Sequence, residues 1–500
     1  MELNQMVERF KAHQKQMHAY SHAMGLLGYD SVTSMPQGAS ETLGDTLGVL
    51  SEAIYRLETD EAYKELLRAL YERRGELDFQ TRREAEELFE EQRKLSCIPM
   101  EEYVAFQVDQ NAAQNAWHEA KEKSDYALFK PHLQKMIDFQ RKYAQYIAPG
   151  KPVYDTLLNE YERGLDVKTA DAYFETVKAT VVPLVQRIID KGWQPRCDFL
   201  TRKCPIEQQR RLSQYVMGVM TIDPRHCTLG ETEHPFTTEF SKNDVRITTH
   251  YHEDNMVSNL FSVVHEGGHA LYELHVGDEL LHSALAHGTS MGVHESQSRF
   301  WENIVGRSEP FCDLIFPKVQ ELFPAQMGDV TAREFWQAVN MAQPSLIRTE
   351  ADELTYSLHV LIRYELEKRI FAGTLGVDEL PQAWNDLYRQ YLGVEVPCDR
   401  EGVLQDSHWS SASFGYFPSY SIGSAYSCQI VASMEKDLPV WELVGRGELA
   451  PIVAWLTERI YKWGALITPP EVLRNCCGAA FDPKFYTDYL TAKFTKLYNL

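Results

Sequence analysis

The chain has 500 residues, of which 44% are hydrophobic, so it is long enough to bury a large core. Its formal net charge of −22 argues against nucleic acid and anionic membrane surfaces as partners. The sequence contains no run of about 18 or more apolar residues, so no membrane span is predicted. The nine scattered cysteines are an odd number, which is typical of reduced thiols and predicts a cytoplasmic protein.

Helical patterns dominate the N-terminal part of the chain. Apolar residues recur with the helical period in residues 1–25, 46–96, 99–148, 167–191 and 205–219. Turn residues cluster at Pro36-Gln37-Gly38, Pro149-Gly150 and Pro195. Because no long linker, low-complexity tract or internal repeat interrupts the sequence, we predict a single, mostly helical domain over residues 1–500.

Residues 236–251 depart from the helical pattern. Two segments rich in β-branched and aromatic residues flank a polar turn at 241–244, which predicts a small β-hairpin. The hairpin directly precedes the next motif, so one edge could border a cleft and receive an extended peptide as an added strand. A purely structural hairpin fits the sequence equally well.

The segment His265-Glu266-Gly267-Gly268-His269 is the most informative one in the chain. On an α-helix, four residues turn by about 400°, so both imidazoles leave the same face and can reach one zinc ion at ~2.0–2.1 Å. Glu266 lies about 100° around the helix, where it can hold a water at the open position of the metal. The alternative is an ordinary helix whose histidines face solvent or carboxylates. Apolar neighbours such as Val264 and Leu271 favour a buried helix, in which a metal is a natural partner for the histidines.

A zinc site of this kind needs a third protein ligand. His275 lies ten residues after His265, but if the helix continues through Leu274 it points away from His269. Glu295, at the start of a predicted second helix, is the better candidate and would complete a set of two histidines and one glutamate. The alternative for Glu295 is a surface pair with Arg299 one helical turn later.

Residues 345–373 predict a long helix that carries Arg348. A guanidinium there can bind a carboxylate through two parallel hydrogen bonds. A plain pair between Arg348 and Asp352, four residues apart, is the simpler interpretation of the sequence alone.

Residues 402–420 are rich in glycine, serine and aromatic residues and predict a loop. His408, Tyr416 and Tyr420 are polar groups on this segment that could donate hydrogen bonds to a developing oxyanion. Without the zinc motif, the same segment would be interpreted as an aromatic surface loop.

Taken in order, these motifs resemble those of the carboxypeptidase Taq family of metallocarboxypeptidases, and the resemblance runs nearly from end to end. The matching segments are residues 26–36, His234-Pro235-Phe236, 244–248, 265–269, His294-Glu295-Ser296-Gln297, 347–352 and 402–409. Tyr29 stands where the family usually has tryptophan, and it lies far in sequence from the proposed metal ligands.

The resemblance implies an all-α, two-lobed fold with a deep groove, similar to neurolysin and angiotensin-converting enzyme. It implies a zinc enzyme, with cobalt as a substitute, that releases C-terminal amino acids from peptides with broad specificity by metal-activated water attack. It also implies a homodimer.

The family pattern also assigns roles to residues. It makes His265, His269 and Glu295 the metal ligands and Glu266 the base, and it makes Arg348 and His234 substrate-binding residues. A looser likeness to neurolysin-type enzymes makes His408, Tyr416 and Tyr420 the groups that stabilise the tetrahedral intermediate.

Two alternatives stay open at this point. A metallo-endo-oligopeptidase would share the catalytic residues but would have no use for a carboxylate clamp such as Arg348. A non-catalytic helical scaffold with a structural metal would be expected to close its site with four protein ligands, commonly cysteine. No cysteine lies near His265 or Glu295 in the sequence, which disfavours the scaffold.

Overall fold

A computed structural model describes residues 2–500, so Met1, the first residue of the first predicted helix, lies outside the described residues. The described part is mostly helical, as predicted, and contains one three-stranded sheet. Helices α1 to α21 span, in chain order, Leu3–Thr33, Ser40–Thr59, Glu61–Glu72, Phe79–Ser96, Met100–Lys123, Tyr126–Ile147, Val153–Tyr161, Val167–Lys191, Ile206–Val219, Met256–Leu274, Met291–Arg299, Glu309–Leu322, Pro324–Met327, Ala332–Val339, Tyr356–Phe371, Leu380–Leu392, Phe417–Met434, Val440–Arg446, Ala450–Arg459, Pro469–Cys477 and Lys484–Tyr498. Strands β1 to β3 span Cys227–Glu231, Thr237–Ser241 and Asp244–Thr249.

The predicted helices of the N-terminal part are all present, but two of them are divided. The predictions for α8 and α9 agree with the structure, whereas residues 46–96 contain parts of three helices and 99–148 contain two. Aspartates mark the divisions: Asp60, Asp78 and Asp125 each accept a hydrogen bond from a backbone N–H in the first turn of the following helix. Such a cap satisfies a donor that would otherwise lack a partner, and it starts a new helix where the apolar period alone predicts continuity.

The predicted hairpin is confirmed. Strands β2 and β3 pair antiparallel, and β1, which the sequence pattern did not predict, pairs with β3 in parallel. The strand order is β1-β3-β2, so β2 is an edge strand. Helix α10, which carries the zinc motif, packs on this sheet.

The prediction of one long helix over residues 345–373 is wrong. Arg348 lies in a short 3₁₀ turn, Arg348–Glu350, and α15 begins only at Tyr356. The Asp352 carboxylate accepts hydrogen bonds from the backbone N–H groups of Leu354 (2.9 Å) and Thr355 (3.1 Å). Asp352 therefore binds the backbone just before α15, and the surface pair between Arg348 and Asp352 does not form.

The predicted loop over residues 402–420 is only partly a loop. His408 begins a 3₁₀ turn, His408–Ser411, whereas Tyr420 lies on α17, a helix that is buried along most of its length. The alternative of an aromatic surface loop is therefore wrong, because this segment packs into the interior.

Residues 2–500 form two hydrophobic cores. The main core extends from α5 to α21 and encloses α10, whose Val263, Val264 and Leu271 have no solvent exposure. A small second core joins α1, α3 and α4 through residues such as Phe10 and Leu67. Among the described residues, no helix is both long enough and apolar enough to cross a bilayer.

Candidate active site

The three predicted metal ligands come together at one point. His265 and His269 lie one turn apart on α10 with ring centroids 5.0 Å apart, and Glu295 reaches them from α11. The Glu295 Oε2 atom lies 3.8 Å from His265 Nε2 and 3.6 Å from His269 Nε2. Ligand atoms that surround zinc tetrahedrally at ~2.1 Å are roughly 3.4 Å apart from one another. The distances from Glu295 Oε2 to the two Nε2 atoms are close to this value. His275 Nδ1 lies 2.8 Å from the carbonyl oxygen of Leu271, and His275 is not part of the group formed by His265, His269 and Glu295.

Both histidines are oriented by acceptors on the side away from this point. His265 Nδ1 lies 2.9 Å from Glu302 Oε2, and since a carboxylate only accepts, the ring must donate there. His269 Nδ1 lies 2.5 Å from His294 Nδ1, and His294 Nε2 lies 2.7 Å from Glu273 Oε1. The Nε2 atoms of both ligands are thereby left free for a metal.

Electrostatics also suit a cation. Burial is the main reason why the pKa of His269 is lowered to about 3, and the nearby His294 contributes a smaller part. The ring is therefore neutral and able to coordinate a metal ion. The Arg299 Nε atom donates to Glu295 Oε1 at 2.7 Å, whereas Oε2 accepts from Ser298 Oγ at 3.0 Å and lies on the side of the two histidines. The predicted alternative, a pair between Glu295 and Arg299, therefore coexists with the ligand geometry, but it is buried rather than on the surface.

Two glycines let the helices approach closely enough to bring Glu295 to the histidines. A Cβ on Gly268 would lie 2.7 Å from Gln297 O and 2.8 Å from Ser298 Cα of α11. A Cβ on Gly423 of α17 would lie 2.9 Å from Glu295 Cβ. Any side chain at these positions would separate the helices that carry the ligands.

Glu266 projects into a cavity of about 350 Å³ that the three ligands also line. The hydroxyl of Thr237, on edge strand β2, donates to Glu266 Oε2 at 2.6 Å and fixes the carboxylate. Burial raises the pKa of Glu266, which brings a carboxylate closer to the basicity that a proton acceptor needs.

The three predicted oxyanion donors lie together. His408 Nε2 is 3.3 Å from Tyr420 Oη, and the ring of Tyr416 lies 5.1 Å from each of the other two rings. Both tyrosines line the same cavity as Glu266. Burial lowers the pKa of His408 to about 4, so this ring is neutral at neutral pH, and burial raises the pKa of Tyr420, so its hydroxyl stays protonated.

Arg348 lies behind Tyr420, with its guanidinium carbon 5.0 Å from the centre of that ring. Its Nε and Nη2 donate to Asp406 Oδ1 at 3.2 and 2.9 Å, and Nη1 donates to Tyr356 Oη at 3.2 Å. These contacts engage three of the five N–H groups of a guanidinium, which leaves two that can bind a carboxylate. The residue is only 6% exposed and does not line the metal cavity directly.

His234 differs from the other predicted site residues, which are buried or half-buried. It is exposed, and its backbone carbonyl accepts from Thr232 Oγ1. Phe236 and Thr237, two and three residues later, line the metal cavity instead. A role for His234 in substrate binding stays a prediction.

Comparison with known proteins identifies the family. The sequence model described as Carboxypeptidase Taq (M32) metallopeptidase matches residues 9–494. The chain belongs to the carboxypeptidase Taq family of metallopeptidases. Carboxypeptidase 1 of Bacillus subtilis is 39% identical over 501 residues, with 100% of both chains covered. The crystal structure of the M32 carboxypeptidase from Deinococcus radiodurans R1 has a TM-score of 0.95 at 35% identity and covers 99% of this chain and 100% of that chain.

Membership of the carboxypeptidase Taq family confirms the predicted family, fold class and enzyme class: the protein is a metallocarboxypeptidase. The family implies a divalent metal ion, and two imidazoles with one carboxylate form a donor set that fits one. The likeness to neurolysin and angiotensin-converting enzyme stays an expectation.

Several residues of this site are not indicated by the sequence motifs. Glu302 follows Glu295 by seven residues, which places both on one face of a helix, and this spacing could have indicated it. His294, Glu273 and Thr237 act through contacts between separate elements, for which the sequence carries no periodic signal.

Proposed function

We propose that this metallocarboxypeptidase uses zinc and removes amino acids one at a time, with broad specificity, from the C-terminus of peptides. The observation that carries the proposal is the single cavity lined by His265, His269 and Glu295 together with Glu266 and Tyr420. A set of two histidines and one glutamate that leaves an open position is typical of hydrolytic zinc sites.

Glu266 is the proposed general base. A zinc ion held by the three ligands would supply Lewis-acid chemistry that polarises the scissile carbonyl and acidifies water. Glu266 accepts the proton of the attacking water and passes it to the leaving amine, while Thr237 keeps its carboxylate directed into the cavity.

Tyr420 and His408 are the proposed donors to the oxyanion. Near neutral pH, His408 is a neutral imidazole with one N–H, and Tyr420 is a phenol with one O–H. Each residue can therefore donate one hydrogen bond to the oxyanion. Tyr416 packs against both rings and is proposed to help orient them.

Arg348 is the proposed clamp for the terminal carboxylate of the substrate. Its two remaining N–H groups and its position behind Tyr420 support this role. The clamp is what separates an exopeptidase from the endo-oligopeptidase alternative, which shares the metal ligands and base.

Further features are proposed from the family resemblance. We expect a homodimer, and an exposed apolar stripe on α5, formed by Met100 (78% exposed), Val104 (55%) and Val108 (66%), offers a surface for the second copy. The nine free cysteines support a cytoplasmic location, and cobalt is proposed as a substitute metal.

The proposal is tested by incubating the zinc-loaded protein with N-terminally blocked peptides and identifying the products by mass. Stepwise loss of C-terminal residues is expected, and internal cuts would support the endo-oligopeptidase instead. Glu266→Gln is the matched control. It should retain zinc but lose at least ~10²-fold in turnover, because glutamine cannot accept the proton.

A further inference from the structure

Glu367 is a carboxylate in the interior that the proposed mechanism does not use. It lies on α15 and has no solvent exposure. Trp409 Nε1 donates to its Oε1 atom at 2.7 Å, and the Gly415 N–H at 2.7 Å and Tyr154 Oη at 2.9 Å donate to Oε2. Because an indole N–H and a backbone N–H can only donate, at least two of these bonds require the carboxylate oxygens as acceptors.

Two of these donors are direct neighbours of residues that are proposed to act on the oxyanion. Trp409 follows His408 in the chain, and Gly415 precedes Tyr416. One carboxylate therefore binds both ends of the segment that separates these two active-site rings. Since Glu367 does not line the metal cavity, it can affect the reaction only through these neighbours.

His408 depends on its backbone for its orientation more than the metal ligands do. Its Nδ1 atom is buried and has no hydrogen-bond partner among residues 2–500. By contrast, Nδ1 of His265 lies 2.9 Å from Glu302 Oε2, which fixes that ring directly. The ring of His408 is therefore placed by packing and by the turn His408–Ser411, which the Trp409 bond holds against α15.

Gly415 is held as closely as Trp409. Its φ of +86° lies in the left-handed region that favours glycine, and a Cβ there would lie 2.7 Å from the carbonyl carbon of Leu157 on α7. Tyr154, also on α7, donates to the same Oε2 atom as the Gly415 N–H. The carboxylate thus joins α7 and α15 to the backbone immediately before Tyr416, whose ring lines the metal cavity.

We propose that Glu367 is a positioning residue for peptide hydrolysis. Its carboxylate holds the segment between His408 and Tyr416 so that both rings, and the adjacent ring of Tyr420, are placed to stabilise the oxyanion. This inference rests on the proposed roles of those three residues, and it assigns their placement to one buried carboxylate outside the cavity. The metal ligands are carried by α10 and α11, so loss of the carboxylate should leave the metal site intact.

The test compares Glu367→Gln with the wild type at full zinc occupancy. Glutamine keeps the size of the side chain, but its amide nitrogen cannot accept, so at least one donor loses its acceptor. We expect kcat to fall at least about ten-fold, because displaced donors stabilise the oxyanion less. The zinc content and KM should change by less than about two-fold, because the metal site and ground-state binding are retained.

A phosphonate peptide that mimics the tetrahedral intermediate gives a second measurement. Its affinity should fall by the same factor as kcat/KM, because it carries the oxyanion that the donors bind. If Glu367 only stabilises the fold, both the affinity of this analogue and kcat should be unchanged in the folded, zinc-loaded variant. That result would overturn the proposal.

Glu84→Gln is the matched control. Glu84, on α4, is 3% exposed and accepts from the Ala284 N–H at 2.7 Å, which equals the distance from the Gly415 N–H to its acceptor. This change should lower the melting temperature but leave kcat and the affinity of the analogue as they are. If it lowers kcat as much as Glu367→Gln does, the loss of any buried carboxylate accounts for the effect and the proposal is wrong.

The double variant His408→Ala and Tyr420→Phe separates failure of this inference from failure of the proposed function. Normal kcat in the double variant would refute the proposed donors themselves. If its kcat is low, adding Glu367→Gln should lower it by less than about two-fold, because the donors that the carboxylate places are already absent. A further ten-fold loss would overturn the positioning role and leave the proposed donors in place.

Trp409→Phe replaces Glu367→Gln in these measurements if the latter yields too little folded protein. It removes the indole N–H that binds Oε1 and leaves the other two bonds of the carboxylate in place. We expect the same direction of change in kcat and in the affinity of the analogue. Unchanged values for the zinc-loaded variant would count against the proposal as they would for Glu367→Gln.

Discussion

Glu302 binds three groups at the candidate metal site, although it is not one of the three proposed ligands. It accepts from His265 at 2.9 Å, from Arg299 at 3.2 Å and from Arg307 at 3.1 Å. Its carboxylate fixes which nitrogen of His265 faces the metal. The two arginines in turn hold the carboxylate in place.

Substituting Glu302→Gln should therefore weaken metal binding while leaving the three ligands intact. The loss of an orienting carboxylate typically lowers metal affinity by about 10–100-fold. Affinity is measured by competition with a chromogenic chelator. Glu309→Gln, which removes the partner of the exposed Lys496, is the control and should change affinity little. Equal affinities for all three proteins would contradict the orienting role.

His408 should make the protein less stable in acid. Its pKa in the folded state, about 4, is below its ordinary value of 6.5, so between these pH values the unfolded chain binds a proton more readily. The stability contributed by neutral His408 is complete above pH 6.5 and is lost as the pH falls toward 4, by up to about 3 kcal/mol.

The measurement is the free energy of unfolding in urea at several pH values, for the wild type and His408→Gln. The variant should show a weaker decline between pH 6.5 and 4. An identical decline in both proteins would show that His408 does not titrate in this way.

At the level of elements, the close contact between α10 and α11 sets the position of Glu295. Gly268→Ala should force these helices apart, because the new Cβ would meet backbone atoms of α11 that cannot move independently. Overpacking of this kind costs about 1–3 kcal/mol, and it should also weaken metal retention.

The neighbouring Gly267→Ala is a matched control. Its Cβ would meet the side-chain ends of Met220 (2.9 Å) and Ile222 (3.0 Å), which can adjust. Melting temperature and retained metal after dialysis are compared for the two variants. If both lose metal equally, the close approach at Gly268 does not determine the ligand geometry.

The sequence predicted those elements whose signals are local. α8, α9 and the hairpin follow from periodicity and composition, and the closeness of His265 and His269 follows from their spacing on one helix. The region around Arg348 could not be predicted from local signals. Arg348 pairs with Asp406, which is 58 residues away in the sequence, and the Asp352 carboxylate instead binds backbone N–H groups just before α15. His294 and Glu273 belong to the site only because α10 and α11 pack together.

For the molecule as a whole, the apolar stripe on α5 should determine the oligomeric state if the proposed dimer uses it. Val104→Glu combined with Val108→Glu places two charges in the stripe and should give a monomer by light scattering. Val32→Glu, at an exposed apolar position on α1, is the control. A dimer that survives the α5 changes would place the interface elsewhere.

Recognition of the free C-terminus of the substrate is the central feature of the proposed function, and Arg348→Ala tests it most directly. The measured quantity is kcat/KM on a free-acid peptide and on its C-terminally amidated counterpart. Arg363→Ala is the control, because Arg363 shares Asp406 but is fully buried and should affect both substrates alike.

A charge-assisted contact is worth roughly 1.5–3 kcal/mol, so Arg348→Ala should lower kcat/KM on the acid by at least about ten-fold. It should change the already poor turnover of the amide very little. Equal losses on acid and amide, as expected for Arg363→Ala, would remove Arg348 from the substrate site and contradict the carboxylate clamp.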